Sequence, residues 1–309
     1  MVVGRGLDEI AAWADGAGVA LPLVSWHGDD VPVDATASRY DLVVVDDYFI
    51  NAAWLRAVSE RMPTFVIDDW MRRELRVAGL VNPNVGAARA DYPDGVAGRW
   101  LLGPEYTLLQ RDVLEAPRAP LTLGRAREVM ITFGGSDPDN RTDEVAAALS
   151  TLRWHQEGGA LTVMLGPSYA GDESWWSRWA AARPDRRKVV VATRDDYVRR
   201  LAIADLVICG AGTTTYELAF LGRPFVPIAL VENQTRVANE WHRYGVGRGW
   251  SVRQPDWLGR VAREVERLLE DGDERARIAN AANGLVDGGG SQRVLAACRE
   301  TVRGGSTTG

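Results

Sequence analysis

Two stretches decide the fold: Val129–Asn140, VMITFGGSDPDN, and Leu206–Leu218, LVICGAGTTTYEL. In each, an apolar run of strand character (Met130–Phe133, Leu206–Cys209) gives way to a small-residue turn and then to a helical pattern. Such a turn leaves backbone N–H groups at a helix N-terminus, where the dipole favours an anion. Two of them in one half of the chain predict a ligand that carries a diphosphate, and a nucleotide sugar is the reading that follows. The tripeptide Glu232-Asn233-Gln234 adds neutral hydrogen-bonding groups after a further strand-like run, Phe225–Ile228.

Working outward, strand-like and amphipathic runs alternate along the whole chain, which predicts parallel α/β layers. In the first half the pattern predicts a helix at Leu7–Ala17, strands at Leu21–Val24, Leu42–Val45 and Thr64–Ile67, and a helix at Ala52–Arg61. The aperiodic, Pro- and Gly-marked segment Glu115–Arg125 reads as an interdomain linker. Beyond it, strands are expected at Val129–Phe133, Leu161–Leu165, Val189–Val191, Leu206–Cys209 and Phe225–Ile228. Helices are expected near Thr142–Leu152, Glu173–Ala182, Asp196–Ala204 and Thr214–Leu221, then at Trp257–Glu270, Asp273–Leu285 and Ser291–Val302. The expected domains are 1–118, 119–286 and a C-terminal helix with tail, 287–309, packing back on the first domain.

Composition narrows the function. A net charge of −6 argues against a general nucleic-acid binder, which needs a basic face. No apolar stretch approaches the roughly 18 residues of a membrane span, and the start is not a secretory signal. Cys209 and Cys298 are isolated, so neither a metal cluster nor a disulfide framework is indicated. A cytoplasmic enzyme without metal or other cofactor is expected. His27, His155 and His242 have no partners at ligand or triad spacing, and there is no nucleophile elbow, P-loop or HExxH.

The candidate nucleotide-binding residues are Gly134, Gly135, Ser136, Gly212, Thr213, Thr214, Thr215, Glu217 and Gln234. Glycines let the backbone approach a phosphate, and hydroxyls donate to its oxygens. Ser136 or Asp137 also reads as a plain helix cap, and so does each threonine. Glu217, on the first turn of its helix, reads as an acceptor for a ribose diol or as a favourable charge at a helix N-terminus. In the first half, Asp46-Asp47-Tyr48 and Asp68-Asp69 lie just past strand ends, where open α/β sheets bind ligands. Clustered carboxylates raise one another's pKa, so Asp47, Tyr48 and Asp69 are the acid/base candidates, with Asn233 beside the sugar.

Taken together, VVVDDYFIN (43–51), FVIDDWMRR (65–73), LVNPNVGA (80–87), WLLGPEYTLLQRDV (100–113), ITFGGSDPDN (131–140), ADLVICGAGTTTYELAFLGRP (204–224) and ENQ (232–234) resemble one family. It is the UDP-2,4-diacetamido-2,4,6-trideoxy-β-L-altropyranose hydrolases of pseudaminic acid biosynthesis and their spore-coat polysaccharide relatives. The family is distantly similar to the lipid-II-forming N-acetylglucosaminyltransferase. The resemblance implies an α/β fold of glycosyltransferase-B type, with two Rossmann-like domains and the nucleotide held mainly by the second. It implies that Gly134–Ser136 and Gly212–Thr215 face the diphosphate and Glu217 the ribose. Asn233 and Gln234 would reach sugar and phosphate, Tyr48 would line the sugar pocket, and water would release UDP without a metal.

The family begins with a Gly-x-Gly-His-x-x-Arg turn whose histidine is assigned to activating water, and this chain has no such segment. By that comparison the first domain is shortened, with Val2–Gly6 standing as the tail of the family's second strand. The expected function is that of a UDP-sugar hydrolase releasing UDP from an amino or deoxy sugar; the alternatives are a glycosyltransferase with a small-molecule or glycan acceptor and a non-catalytic nucleotide-sugar binder. A shortened sheet also brings Leu42–Val45 closer to an edge, which invites pairing in a homodimer or with a partner.

Overall fold

The computed structural model describes residues 2–4, 23–25, 40–46, 51–69, 76–135, 137, 139–166, 169, 171–191 and 194–305. The chain forms two compact units: Met1–Val81, Arg89–Leu101 and Ala296–Gly309 make the first, Asn82–Ala88 and Leu102–Leu295 the second.

In the first unit β1 (Val2–Gly4) pairs in parallel with β2 (Leu23–Ser25). A second sheet has the order β3-β4-β5-β6, from Val43–Val45, Thr64–Ile67, Val77–Asn82 and Ala97–Leu102. β3 runs parallel to β4 with Val44 opposite Phe65, and β4 parallel to β5 with Val66 opposite Leu80. Helix α1 (Ala52–Ser59) starts at Asn51, whose side-chain oxygen accepts from the N–H groups of Ala53 (2.7 Å) and Trp54 (3.2 Å). Among the described residues β3 is an edge strand, and Val44 on it is 50% exposed.

The second unit carries α2 (Arg111–Glu115), β7 (Glu128–Thr132), α3 (Arg141–Ser150), α4 (Arg153–Gln156), β8 (Ala160–Leu165), α5 (Glu173–Ala181) and β9 (Arg187–Val191). Then come α6 (Arg194–Leu201), β10 (Leu206–Gly210), α7 (Thr213–Leu221), β11 (Phe225–Ala229), α8 (Glu232–Arg243) and β12 (Trp250–Ser251). Three more helices follow: α9 (Trp257–Glu270), α10 (Gly272–Asn283) and α11 (Gly290–Gly305), the last counted with the first unit from Ala296 on. The strand order is β12-β11-β10-β7-β8-β9, every pair parallel. β10 and β11 are buried along their whole length, as both faces of a helix-covered parallel sheet must be. The chain runs from β7 outward to β9, then returns to the other side of β7 as β10. Strand order therefore reverses between β7 and β10, and a crevice at the C-terminal strand ends forms at such a reversal.

The expected linker lies elsewhere than between the units. Segment 115–125 is strapped onto the second unit: buried Arg223 donates to the Ala119 carbonyl, and buried Arg275 donates to the carbonyls of Thr122 (2.8 Å) and Gly124. Gly272 has no room for a Cβ, which would sit 1.6 Å from the Leu123 carbonyl oxygen. The units divide instead within 81–102, because Val113 and Leu109 join the second core and Asp112 pairs with Arg194. Strands β5, β6 and β12 and helices α2, α4 and α8 are additions to the expected element list, and the expected helix at Leu7–Ala17 lies outside the described residues.

Candidate nucleotide site

The turn after β7 and the turn after β10 are neighbours at the strand-order reversal. A Cβ on Gly210 would stand 3.9 Å from the Phe133 carbonyl oxygen. Gly134 takes φ +82°, a left-handed value that glycine adopts without strain, and among the described residues, chain neighbours aside, no heavy atom lies within 4 Å of where a Cβ on it or on Gly135 would project. Behind them Gly166, just past β8, presses so close that a Cβ would meet the Gly134 carbonyl oxygen at 2.1 Å. The loop thus has a solid backing and an open front.

Across the reversal, Gly212 is the N-cap of α7 and no side chain caps that end. Among the described residues its first N–H groups carry no side-chain partner, and they lie at the positive end of the helix dipole. Exposed Thr213 stands at the opening. Gln234 completes the rim: its Oε1 accepts from the Leu230 N–H (2.9 Å), which fixes the amide, so Nε2 turns toward Gly212, 3.6 Å from where a Cβ would be. Gln234 lies in the first turn of α8, whose N-cap Val231 also offers no side-chain cap.

The two turns are not equivalent. The N-terminus of α3, which follows the glycine turn, is already filled by the buried Asp137 carboxylate. That carboxylate accepts from the N–H of Arg141 (3.0 Å), the N–H of Thr142 (2.7 Å) and the Thr142 hydroxyl (2.6 Å). The first N–H groups of α3 are thus taken up by Asp137, which leaves the Gly134–Gly135 backbone as the open part of this turn among the described residues. Ser136 lies outside the described residues.

Beneath α7, Thr214 and Thr215 are buried. The Thr215 hydroxyl donates to the Gly212 carbonyl (2.7 Å) and accepts from Trp241 Nε1 (3.0 Å), which holds the turn in shape. Thr214 shares a hydrogen bond with the Tyr197 hydroxyl (2.8 Å), which donates in turn to Glu217 Oε2 (3.3 Å). Glu217 Oε1 accepts from Arg194 Nη2 (2.8 Å), and Arg194 also binds Asp112 through Nε (2.7 Å) and Nη2 (3.3 Å). Burial works against the Arg194 charge, but the carboxylates of Asp112 and Glu217 outweigh it and leave the guanidinium more firmly protonated than usual. Burial, then Glu217, pushes the Tyr197 phenol and the Cys209 thiol up, so Tyr197 stays a donor and Cys209 stays an inert thiol under the site.

Of the other expected residues, Asn233 is exposed on the first turn of α8, beside Glu232, which pairs with Arg253. In the first unit Asp46 is exposed past β3, Asp69 is half-buried past β4, and Asp68 is buried with its N–H on the Val81 carbonyl (2.8 Å). Asp47, Tyr48 and His27 lie outside the described residues. His155 is a packing residue between the Gly159 carbonyl (2.8 Å) and Arg187 Nε (3.1 Å). The motif 80–87 has a structural use the sequence did not disclose: the Tyr216 hydroxyl on α7 accepts from the Val85 N–H (3.0 Å) and donates to Asn84 Oδ1 (3.1 Å). Arg236 on α8 holds the Gly86 carbonyl (2.6 Å). Among the described residues no group of three or more His, Cys, Asp or Glu side chains is placed to hold a metal ion, and no helix is long and apolar enough to cross a membrane.

The two parallel-sheet units make an α/β fold of glycosyltransferase-B type. The chain matches the crystal structure of Acinetobacter baumannii MurG with a TM-score of 0.60 at 14% identity, covering 94% of this chain and 88% of that one. In sequence it is 29% identical over 282 residues to the UDP-N-acetylglucosamine--N-acetylmuramyl-(pentapeptide) pyrophosphoryl-undecaprenol N-acetylglucosamine transferase of Anaeromyxobacter sp. (strain K), spanning 86% of this chain and 70% of that protein. It is 27% identical over 199 residues to the spore coat polysaccharide biosynthesis protein SpsG of Bacillus subtilis, spanning 63% of this chain and 56% of SpsG. No protein-family model matches the chain. None of these relatives is named a hydrolase, so the transfer reading, expected as the alternative, is the one carried forward.

Proposed function

We propose that the protein is a glycosyltransferase that uses a nucleoside diphosphate sugar, with UDP as the nucleotide, and that the second unit holds the nucleotide. The observation that carries this is the pairing of two open turns, Gly134–Gly135 and Gly212–Thr213, at the strand-order reversal, with the Gln234 amide turned toward them. Diphosphate is the ligand chemistry such backbone donors suit. As an acceptor hydroxyl oxygen bonds to the anomeric carbon, the bond from that carbon to the diphosphate oxygen breaks and the diphosphate leaves with the electron pair. The α7 N-terminus, the glycine N–H groups and Gln234 Nε2 stabilise the charge that develops on it.

Thr213 donates to the same group, and Asn233 reaches the sugar. The hydroxyl proton passes to a general base, for which Asp47, Asp69 and Tyr48 remain the candidates. The spore coat polysaccharide and N-acetylglucosamine transferase names of the relatives support a role in polysaccharide biosynthesis with a glycan or small-molecule acceptor. The exposed edge at β3 supports pairing of two copies.

The test is release of UDP from UDP-N-acetylglucosamine and other UDP-sugars, with and without hydroxyl acceptors. Release only with an acceptor supports transfer. Release in water alone supports hydrolysis, and UDP binding with neither supports a binding protein.

A further inference from the structure

The site holds a charged relay that the diphosphate reading does not use. Glu217 is buried one turn into α7, past the first turn where the sequence pattern puts it, and its carboxylate is held on both oxygens. Arg194 Nη2 binds Oε1 at 2.8 Å and the Tyr197 hydroxyl binds Oε2 at 3.3 Å. Arg194 is itself anchored on its far side by a two-point contact to Asp112, Nε to Oδ2 at 2.7 Å and Nη2 to Oδ1 at 3.3 Å. Two elements remote in sequence, α2 and α6, thus fix one carboxylate on a third.

A carboxylate has about four acceptor positions, two on each oxygen. Among the described residues Arg194 and Tyr197 occupy one on each, which leaves one on each oxygen. Two acceptors a carboxylate-width apart match two adjacent hydroxyls. The guanidinium has a second effect: it balances a negative charge that would otherwise stand beside the diphosphate.

We propose that Arg194, braced by Asp112, is a positioning residue that aims Glu217 at both ribose hydroxyls, so that the site takes ribonucleoside diphosphate sugars and discriminates against 2′-deoxyribonucleoside diphosphate sugars. This rests on the reading of Glu217 as the ribose contact. A 2′-deoxy nucleotide fills only one of the two acceptor positions and leaves the other desolvated. Loss of one hydrogen bond to a charged group corresponds to about a tenfold or greater preference for the ribonucleotide.

The experiment is calorimetry of the full chain with UDP and with 2′-deoxy-UDP, read as the ratio of the two dissociation constants. The wild type is expected to favour UDP by about tenfold or more. Arg194→Gln is expected to bring the ratio to within about threefold of unity, Asp112→Asn to lower it part of the way, and Arg194→Lys to restore part of it. A general loss of fold or of charge balance weakens both nucleotides alike and does not move the ratio, so an unchanged ratio in Arg194→Gln overturns the proposal. Glu217→Ala separates the two layers. If it abolishes the preference while Arg194→Gln does not, only the positioning role falls. If neither variant changes the ratio, or the wild type shows no preference, the ribose reading falls with it.

Discussion

Replacing Gln234 by Glu is nearly isosteric and reverses the electrostatics of the site at one atom. The retained oxygen keeps the Leu230 N–H bond, now 2.9 Å, and the new oxygen takes the place of Nε2 beside Gly212. In a diphosphate complex that oxygen lies near a phosphate. Two unit charges about 4 Å apart repel by about 4 kcal/mol at an effective dielectric of about 20. Gln234 is half-exposed, so screening lowers this, and a donor is lost as well. The net penalty on UDP binding is therefore about 2–4 kcal/mol, a rise in Kd of roughly 30- to 1,000-fold. The fold gains slightly, because a negative charge at the ends of α7 and α8 is favourable by about 0.3–1 kcal/mol. Calorimetry with UDP and with uridine, alongside thermal unfolding, reads all three. Uridine affinity should change by less than about threefold, since uridine carries no phosphate. A Kd for UDP within that same factor of wild type, or an equal loss for uridine, would refute the placement of the diphosphate.

Three further outcomes follow from the packing. Gly166→Ala drives a Cβ into the Gly134 carbonyl oxygen at 2.1 Å and displaces the glycine turn, so UDP affinity measured by calorimetry should fall by about tenfold or more while the chain still folds. Tyr216→Phe removes the acceptor of the buried Val85 N–H and should cost about 1–3 kcal/mol in urea denaturation. His155 is held neutral, chiefly by burial and then by the charges of Arg187, Arg186 and Arg183, so its folded pKa lies below the ordinary imidazole value. Its contribution is then present above about pH 6.5 and is lost as pH falls through the lower folded value. Denaturant midpoints should drop on the acid side in the wild type and less in His155→Gln.

Much of the second unit was legible because a buried parallel strand must be apolar from end to end. Leu206–Cys209 and Phe225–Ile228 were placed within a residue of β10 and β11 for that reason. Gly134 was legible as a turn glycine and has the positive φ that favours that residue. α8 was not legible, since its N-cap is Val231 and no polar capping residue marks its start. Asn233 and Gln234 therefore read as loop residues. β5 and β6 carry internal glycines, Gly79 and Gly98, which weaken a strand pattern. Gly79 is there because the Phe65 ring would stand 2.2 Å from a Cβ. In one dimension Ser136 and Asp137 read equally as the cap, and the three hydrogen bonds that Asp137 accepts from Arg141 and Thr142 give it that part. The Asp112–Arg194–Glu217 relay joins residues that no local spacing relates, so its discovery required the fold.

A structure of the protein with UDP bound tests the central claim most directly. The account places the diphosphate between the Gly134–Gly135 backbone and the N-terminus of α7, within hydrogen-bond reach of Gln234 Nε2, with the ribose on Glu217. A diphosphate seated on the α3 N-terminus in place of Asp137, or anywhere away from the β7–β10 reversal, would contradict it.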